Sequence, residues 1–426
     1  MKRVSKNELK NLLRNTLSIE VEQSVSKILE GVRLRGDEAL IDFERQFDHV
    51  ELNAQEFKVS SKELIQAGTQ VSKSVRSVLA VMIKNVRRYQ KDLLYHDWIK
   101  SYSSGKAGGK IHLGSLVRPL DRVGVYIPGG TAPLISTVVM TVIPAKVAGV
   151  KEIIVTTPPN QSGKINPYIL EACRLTGASH VYKLGGAQAI GALAFGTQTV
   201  PRVDKIVGPG NKYVASAKRQ VYGLVGIDMV AGPSEVLILA DDSANPKHVA
   251  ADLLAQAEHD VMAKTFLVTP SMKLIEATEQ EIHLQIQRLT RKETAEVSIR
   301  ERGYAVKVKN LEEAVEVANK IAPEHLEILC RRPSSLIQKL RSAGAIFVGD
   351  STPEPVGDYV AGPSHVLPTG GTARFFSPLS SRDFLKSMSY LKYDQKSLTK
   401  DLKVIQSIAT LEGLDAHQKS AEVRFL

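Results

Sequence analysis

Apolar residues over roughly the first hundred positions fall at the three-to-four spacing of amphipathic helices. Leu9, Leu12, Leu13 and Leu17 make one stripe, and Ile28, Val32, Leu40 and Ile41 continue the pattern. Residues 79–95 predict a long helix rich in Arg and Lys. From residue 120 the texture changes to short β-branched runs that end in glycine and lead into helical segments. V-G-V-Y-I-P-G-G (123–130) precedes a helix at 132–150, and K-E-I-I-V-T-T-P-P (151–159) precedes one at 167–175. V-Y-K-L-G-G-A-Q (181–188) leads into 189–195, and D-K-I-V-G-P-G-N (204–211) into 213–221. A second series of strands is expected at 235–240, 265–269, 304–308 and 345–349, and the last fifty residues return to short helices as a tail. Strand–loop–helix repetition predicts α/β units with parallel sheets covered on both faces. Ligands of such sheets are expected at the carboxyl ends of the strands.

Within this frame the stretch D-L-L-A-Q-A-E-H-D (252–260) stands out. Asn245 and Pro246 form a helix start, with Asn as N-cap and Pro in the first helical position. Val249, Leu253 and Leu254 then repeat at helical spacing, and Gln256 and His259, three apart, are expected on one face. An imidazole beside an amide oxygen can be half of a metal site, although a surface pair has the same spacing. Glu324 and His325 follow Pro323 at the end of a helical pattern, where a histidine suits general-base work or is simply an exposed polar residue. G-P-G-N (208–211) opens a helix as a dinucleotide turn would, yet Tyr213 stands where the G-x-G-x-x-G fingerprint needs glycine. D-M-V-A-G-P-S-E-V-L (228–237) and D-Y-V-A-G-P-S-H-V-L (358–367) repeat each other, which suggests two Gly-Pro turns shaping one cleft.

Composition narrows the classes. The chain has 426 residues, 43% hydrophobic and 24% charged, ordinary for a globular protein with two or more domains. No apolar run is long enough for a membrane span, and the opening M-K-R-V-S-K has no signal-peptide core, so no membrane role and a cytoplasmic location are expected. Cys173 and Cys330 alone exclude a disulfide framework. The net charge of +11 raises nucleic acid as a partner, but 56 Lys and Arg are interspersed with 45 Asp and Glu, and no basic–aromatic run appears. No nucleic-acid partner is expected.

The blocks R-V-G-V-Y-I-P-G-G, G-G-A-Q-A-I-G-A-L-A-F-G-T, V-D-K-I-V-G-P-G-N, I-D-M-V-A-G-P-S-E-V-L, L-L-A-Q-A-E-H-D, A-P-E-H-L-E and G-D-Y-V-A-G-P-S-H-V-L-P-T closely resemble the histidinol dehydrogenase family from about residue 20 to the C-terminus. The resemblance implies two Rossmann-like, doubly wound parallel-sheet domains with a helical N-terminal segment and a C-terminal helical tail. The implied parts are an arm at 1–20, a zinc and catalytic domain at 21–125 plus 235–375, an NAD-binding domain at 126–234 and a tail at 376–426. It implies oxidation of L-histidinol to L-histidine through the aldehyde, with NAD as oxidant and one zinc ion per subunit. The implied zinc ligands are Gln256, His259, Asp358 and His417, and the catalytic pair is Glu324 and His325. NAD contacts fall on Tyr126, Gln188 and Asn211. Substrate contacts fall on Ser234, Gln256, His259, His325, Asp358, Glu412 and His417, the last two reaching across a homodimer with shared sites. Rival readings are a related dehydrogenase of another small polar alcohol, a zinc hydrolase and a nucleic-acid binder.

Overall fold

A computed structural model describes residues 1–5, 8, 18–104, 109–129 and 133–425. The leucine stripe at Leu9, Leu12, Leu13 and Leu17 lies outside the described residues. The chain divides into two units, 1–93 with 120–384, and 94–119 with 385–426.

In chain order, strand β1 (Lys2–Val4) comes first. The antiparallel strands β2 (Trp98–Ser104) and β3 (Gly109–Pro119) belong to the second unit. Next come β4 (Arg122–Tyr126), β5 (Glu152–Thr157), β6 (His180–Lys183), β7 (Lys205–Val207) and β8 (Gly226–Ile227), which form a parallel sheet in the order β6-β5-β4-β7-β8. Strands β9 (Glu235–Ala240), β10 (Lys264–Thr269), β11 (Gly303–Lys307), β12 (His325–Leu329) and β13 (Ala345–Val348) join β1 in a second parallel sheet, ordered β1-β11-β10-β9-β12-β13. Strand β14 (Leu385–Tyr393) completes the second unit's sheet, β14-β3-β2.

The six-stranded sheet shows why the fold is doubly wound. Successive side chains of a strand point to opposite faces. Val236, Ile238 and Ala240 pack with Leu253 and Leu254 of helix Pro246–Ala257 in one cluster. Leu237 and Leu239 pack with Ala314 and Ala318 of helix Leu311–Ile321 in another. Both faces are therefore apolar, and all six residues of β9 are buried. In the five-stranded sheet, Gly208 at the end of β7 has a φ of +114°, and a Cβ there would come within 2.2 Å of the Tyr126 carbonyl oxygen. Only glycine lets these two strand ends approach.

Three expectations change. Lys2–Val4 is an edge strand paired with β11, where the periodicity predicted a helical arm. Residues 325–329, read as a helix boundary and an apolar run, form the strand β12 between β9 and β13. The tail contains a nine-residue strand and the seventeen-residue helix Gln395–Leu411 before the shorter helix Asp415–Glu422. In the second unit, Asp394 caps that long helix through Ser397 N and also accepts from Lys110 N at 2.7 Å, tying the helix start to the sheet.

Candidate active site

Helix Pro246–Ala257 begins as its sequence predicts, with Asn245 Oδ1 accepting from Lys247 N. It ends earlier than the metal reading assumed. Glu258 is the C-cap, so completely buried Gln256 is helical, whereas His259 lies past the helix end and is exposed. The two therefore do not share one helix face.

Gln256 meets His325, the first residue of β12, whose Nδ1 lies 3.1 Å from Gln256 Oε1. An amide oxygen only accepts, so Nδ1 carries the hydrogen and Nε2 holds the lone pair. Nε2 is buried and has no hydrogen-bond partner. Around the ring stand Glu324 Oε2 at 3.9 Å and Glu354 Oε1 at 3.7 Å from Nδ1, with Asp358 Oδ1 3.9 Å from Nε2. Candidate ligand atoms of His325, Glu354 and Asp358 all lie within 4.8 Å of one another, a group able to hold a metal ion. Phe347 covers the ring at a centroid distance of 5.9 Å.

Burial dominates the electrostatics. It pushes the His325 imidazole down to about 3, assisted by nearby His259 and His365, so the ring is neutral at ordinary pH. Burial pushes Asp358 up to about 7, and it pushes Glu324 and Glu354 well above the usual carboxylate range. Carboxyls crowded in this way favour a cation among them. Ser234 hydrogen-bonds Glu324, and Glu235 N donates to Glu324 Oε2 at 3.0 Å. Behind the ring, Glu327 accepts from Glu354 N at 3.0 Å and shares a hydrogen bond with Asp252, one turn before Gln256. Asn85 of helix Lys73–Asp92 donates to Val360 O at 2.8 Å, bracing the turn that carries Asp358.

This centre gathers at the amino-terminal edge of the six-stranded sheet, since Ser234 precedes β9 and His325 opens β12. The general expectation of carboxyl-edge ligands is thus corrected for this sheet. In the five-stranded sheet the residues expected to contact NAD do stand at the carboxyl edge, where Tyr126 ends β4 and Gln188 and Asn211 follow β6 and β7. Tyr126 Oη accepts from Gly186 N, and Asn211 Oδ1 caps helix Lys212–Val221 through Tyr213 N and Val214 N. Glu412 and His417 belong to the second unit, where His417 lines a cleft with Tyr393, Leu398 and Arg424.

The first Gly-Pro turn meets the segment that follows the second repeat, as Gly232 N donates to Thr369 Oγ1 and Gly370 N to Glu235 Oε1. The aspartates of the two repeats part company. Asp358 joins His325, whereas Asp228 is buried in an ion pair with Lys218 and accepts from Gly208 N at 2.8 Å. The sequence reading missed Glu354, four residues before Asp358, and His365, whose Nε2 lies 3.0 Å from Ser136 Oγ. The E-P-V-G-D spacing, which puts two acids one turn apart, was the available signal for Glu354. Neither cysteine is a nucleophile by environment, because burial pushes Cys173 up to about 12 and raises Cys330 as well.

Two parallel α/β layers, with a buried histidine in a nest of carboxyls that can hold a metal, define a doubly wound α/β enzyme. The family model described as histidinol dehydrogenase matches residues 13–425. The chain is 46% identical over 419 residues to the histidinol dehydrogenase of Listeria monocytogenes serotype 4b (strain F2365), covering 98% of this chain and 96% of the relative. It is 48% identical over 404 residues to that of Heliobacterium mobile, covering 95% and 93%. The crystal structure of histidinol dehydrogenase from Elizabethkingia anophelis superposes with a TM-score of 0.94 at 36% identity, covering 100% of this chain and 98% of that one. The chain belongs to the histidinol dehydrogenase family, oxidoreductases of histidine biosynthesis. Among the described residues no helix is long and apolar enough to cross a membrane.

Proposed function

We propose that this chain catalyses the NAD-dependent, four-electron oxidation of L-histidinol to L-histidine through L-histidinaldehyde, with zinc holding the substrate. The observation that carries this reading is the unpartnered Nε2 of buried, neutral His325 beside Glu324. The donor set fits the metal: Gln256 and Asp358 flank the ring, and His259 lies near enough to oppose its protonation. Zinc takes nitrogen and oxygen ligands of this kind. Its ligands would be Gln256, His259, Asp358 and His417 of a second copy.

When bound, the zinc would supply a fixed anchor for the substrate's imidazole and amine. NAD, when bound, would supply the hydride acceptor for each of the two oxidations. His325 takes the proton of the alcohol at Nε2, while its Nδ1–H stays on Gln256 and fixes the tautomer. Glu324, held by Ser234 and the Glu235 amide and ionised when a cation is bound among the carboxyls, takes a proton from water as that water adds to the aldehyde. The hydrate formed is oxidised in the second step. Ser234 and His325 contact the substrate, and Tyr126, Gln188 and Asn211 contact NAD at the other sheet's carboxyl edge.

A homodimer completes the site, with Glu412 and His417 donated by the partner copy. Exposed apolar residues of the second unit support this. Trp98 and Ile99 point to opposite faces of β2 and both are about half exposed, and Met388 and Leu391 on β14 are exposed as well. A dehydrogenase of a related polar alcohol is the second reading. The presence of Glu412 and His417, the residues tied to the amine and imidazole, favours histidinol. Activity with histidinol before and after chelation tests the proposal: reversible loss supports it, and full activity without metal contradicts it.

A further inference from the structure

The backbone after helix Asp37–Phe43 widens into a single turn of π-helix, Glu44–Asp48, and ends at His49 in a left-handed conformation with φ of 53°. Such wide turns are uncommon and are found often at functional sites. This one delivers two carboxyls to the amino end of helix Gly186–Phe195. Glu44 is completely buried, and its Oε1 accepts from Gly185 N at 3.2 Å and from Gln188 Nε2 at 3.0 Å. Asp48 Oδ2 accepts from the same Gln188 Nε2 at 3.3 Å. Tyr126 Oη takes Gly186 N at 3.2 Å.

The first amides of a helix after a glycine turn are where a dinucleotide pyrophosphate ordinarily docks. Here Gly185 is an N-cap without a side chain, and its amide is taken by Glu44. A carboxyl from within the chain thus fills the phosphate's place. The buried Glu44 carboxyl also lies within hydrogen-bonding reach of the Asp48 carboxyl, so the pair is arranged to share a proton. Burial and the Asp48 charge both favour the neutral acid in Glu44, pushing it up to about 8. In that form Oε1 accepts and Oε2 donates, which fixes the Gln188 amide plane.

We propose that the Glu44–Asp48 carboxyl pair is the positioning element of the dinucleotide site: it fills the anion position at the amino end of helix Gly186–Phe195 and orients Gln188 and Tyr126. The part of the dinucleotide facing this turn is then uncharged, a ribose or a base, and its phosphates are held elsewhere. The proposal rests on the reading of Tyr126 and Gln188 as NAD contacts.

Calorimetric titration of NAD into the substrate-free protein, where the Kd should follow the same pattern as the KM, tests it beside steady-state kinetics of the zinc-loaded enzyme with NAD and histidinol varied in turn. Glu44→Ala raises the KM for NAD about tenfold, the order of one lost buried hydrogen bond, with kcat and the histidinol KM within about twofold. Glu44→Gln keeps an accepting oxygen and donates to Asp48 through its amide, so it restores the NAD KM to within about twofold of the parent. An unchanged NAD KM in Glu44→Ala, failure of Glu44→Gln to rescue, or a parallel fall in kcat with both KM values rising overturns the proposal. If Glu44→Ala does not fold, Asp48→Ala carries the same test, with a rise of about threefold expected and no rise overturning it. Gln188→Ala separates the two layers. No effect on NAD KM there defeats the NAD reading itself, while an effect there with none at Glu44 and Asp48 defeats only this inference.

Discussion

His325 keeps its two ring nitrogens in different company, one hydrogen-bonded to Gln256 and one unpartnered. Nothing at that spot in the sequence announces burial. Glu324, His325 and Glu327 are charged or polar, yet all three are nearly inaccessible. What was legible was residue type and family pattern; what was not was Glu354, which only the fold brings to the ring. If Glu324 activates water, Glu324→Gln lowers the rate of aldehyde oxidation by about 10²–10⁴-fold and spares aldehyde formation, as separate assays with alcohol and aldehyde would read. Glu44 yields a pH prediction. Its folded value of about 8 lies above the usual 4.5, so its stabilising linkage is complete below about pH 4.5 and is lost as pH rises through about 8. Urea midpoints at about pH 6 and about pH 9 therefore fall more for the parent than for Glu44→Gln.

At the scale of elements, apolar periodicity reads the paired layers well, because strands such as β5 and β9 are buried runs that each follow a glycine-containing turn. It fails at β12, where His325 and Glu327 occupy positions that face the helix Pro246–Ala257. Polar residues on a buried strand look like a boundary until the partners that satisfy them are known. The pairing of β3 with β14 is also invisible to a local pattern, since the strands are far apart in sequence. The G-P-G-N turn was legible as a turn, and its structural role is to let β7 and β4 meet. Gly208→Ala combines a left-handed φ with a Cβ 2.2 Å from a carbonyl oxygen, and should cost at least about 2 kcal/mol in denaturant unfolding.

For the whole molecule, the proposed reaction would divide the labour between the two parallel sheets, with NAD at the carboxyl edge of one and substrate at the amino edge of the other. The proposed dimer adds a dependence on a second copy. Mixing His417→Ala with Glu324→Gln subunits, each deficient in histidine formation, under conditions of subunit exchange should restore about a quarter of the parent rate of histidine formation, because half of the dimers are mixed and each has one intact site. No recovery would mean that His417 acts within its own subunit. The most direct test of the proposed reaction is the count of NADH formed per histidine produced from L-histidinol by the metal-loaded enzyme. The account predicts two, abolished by chelation and regained on adding zinc. A count of one, or turnover indifferent to complete metal removal, would contradict it.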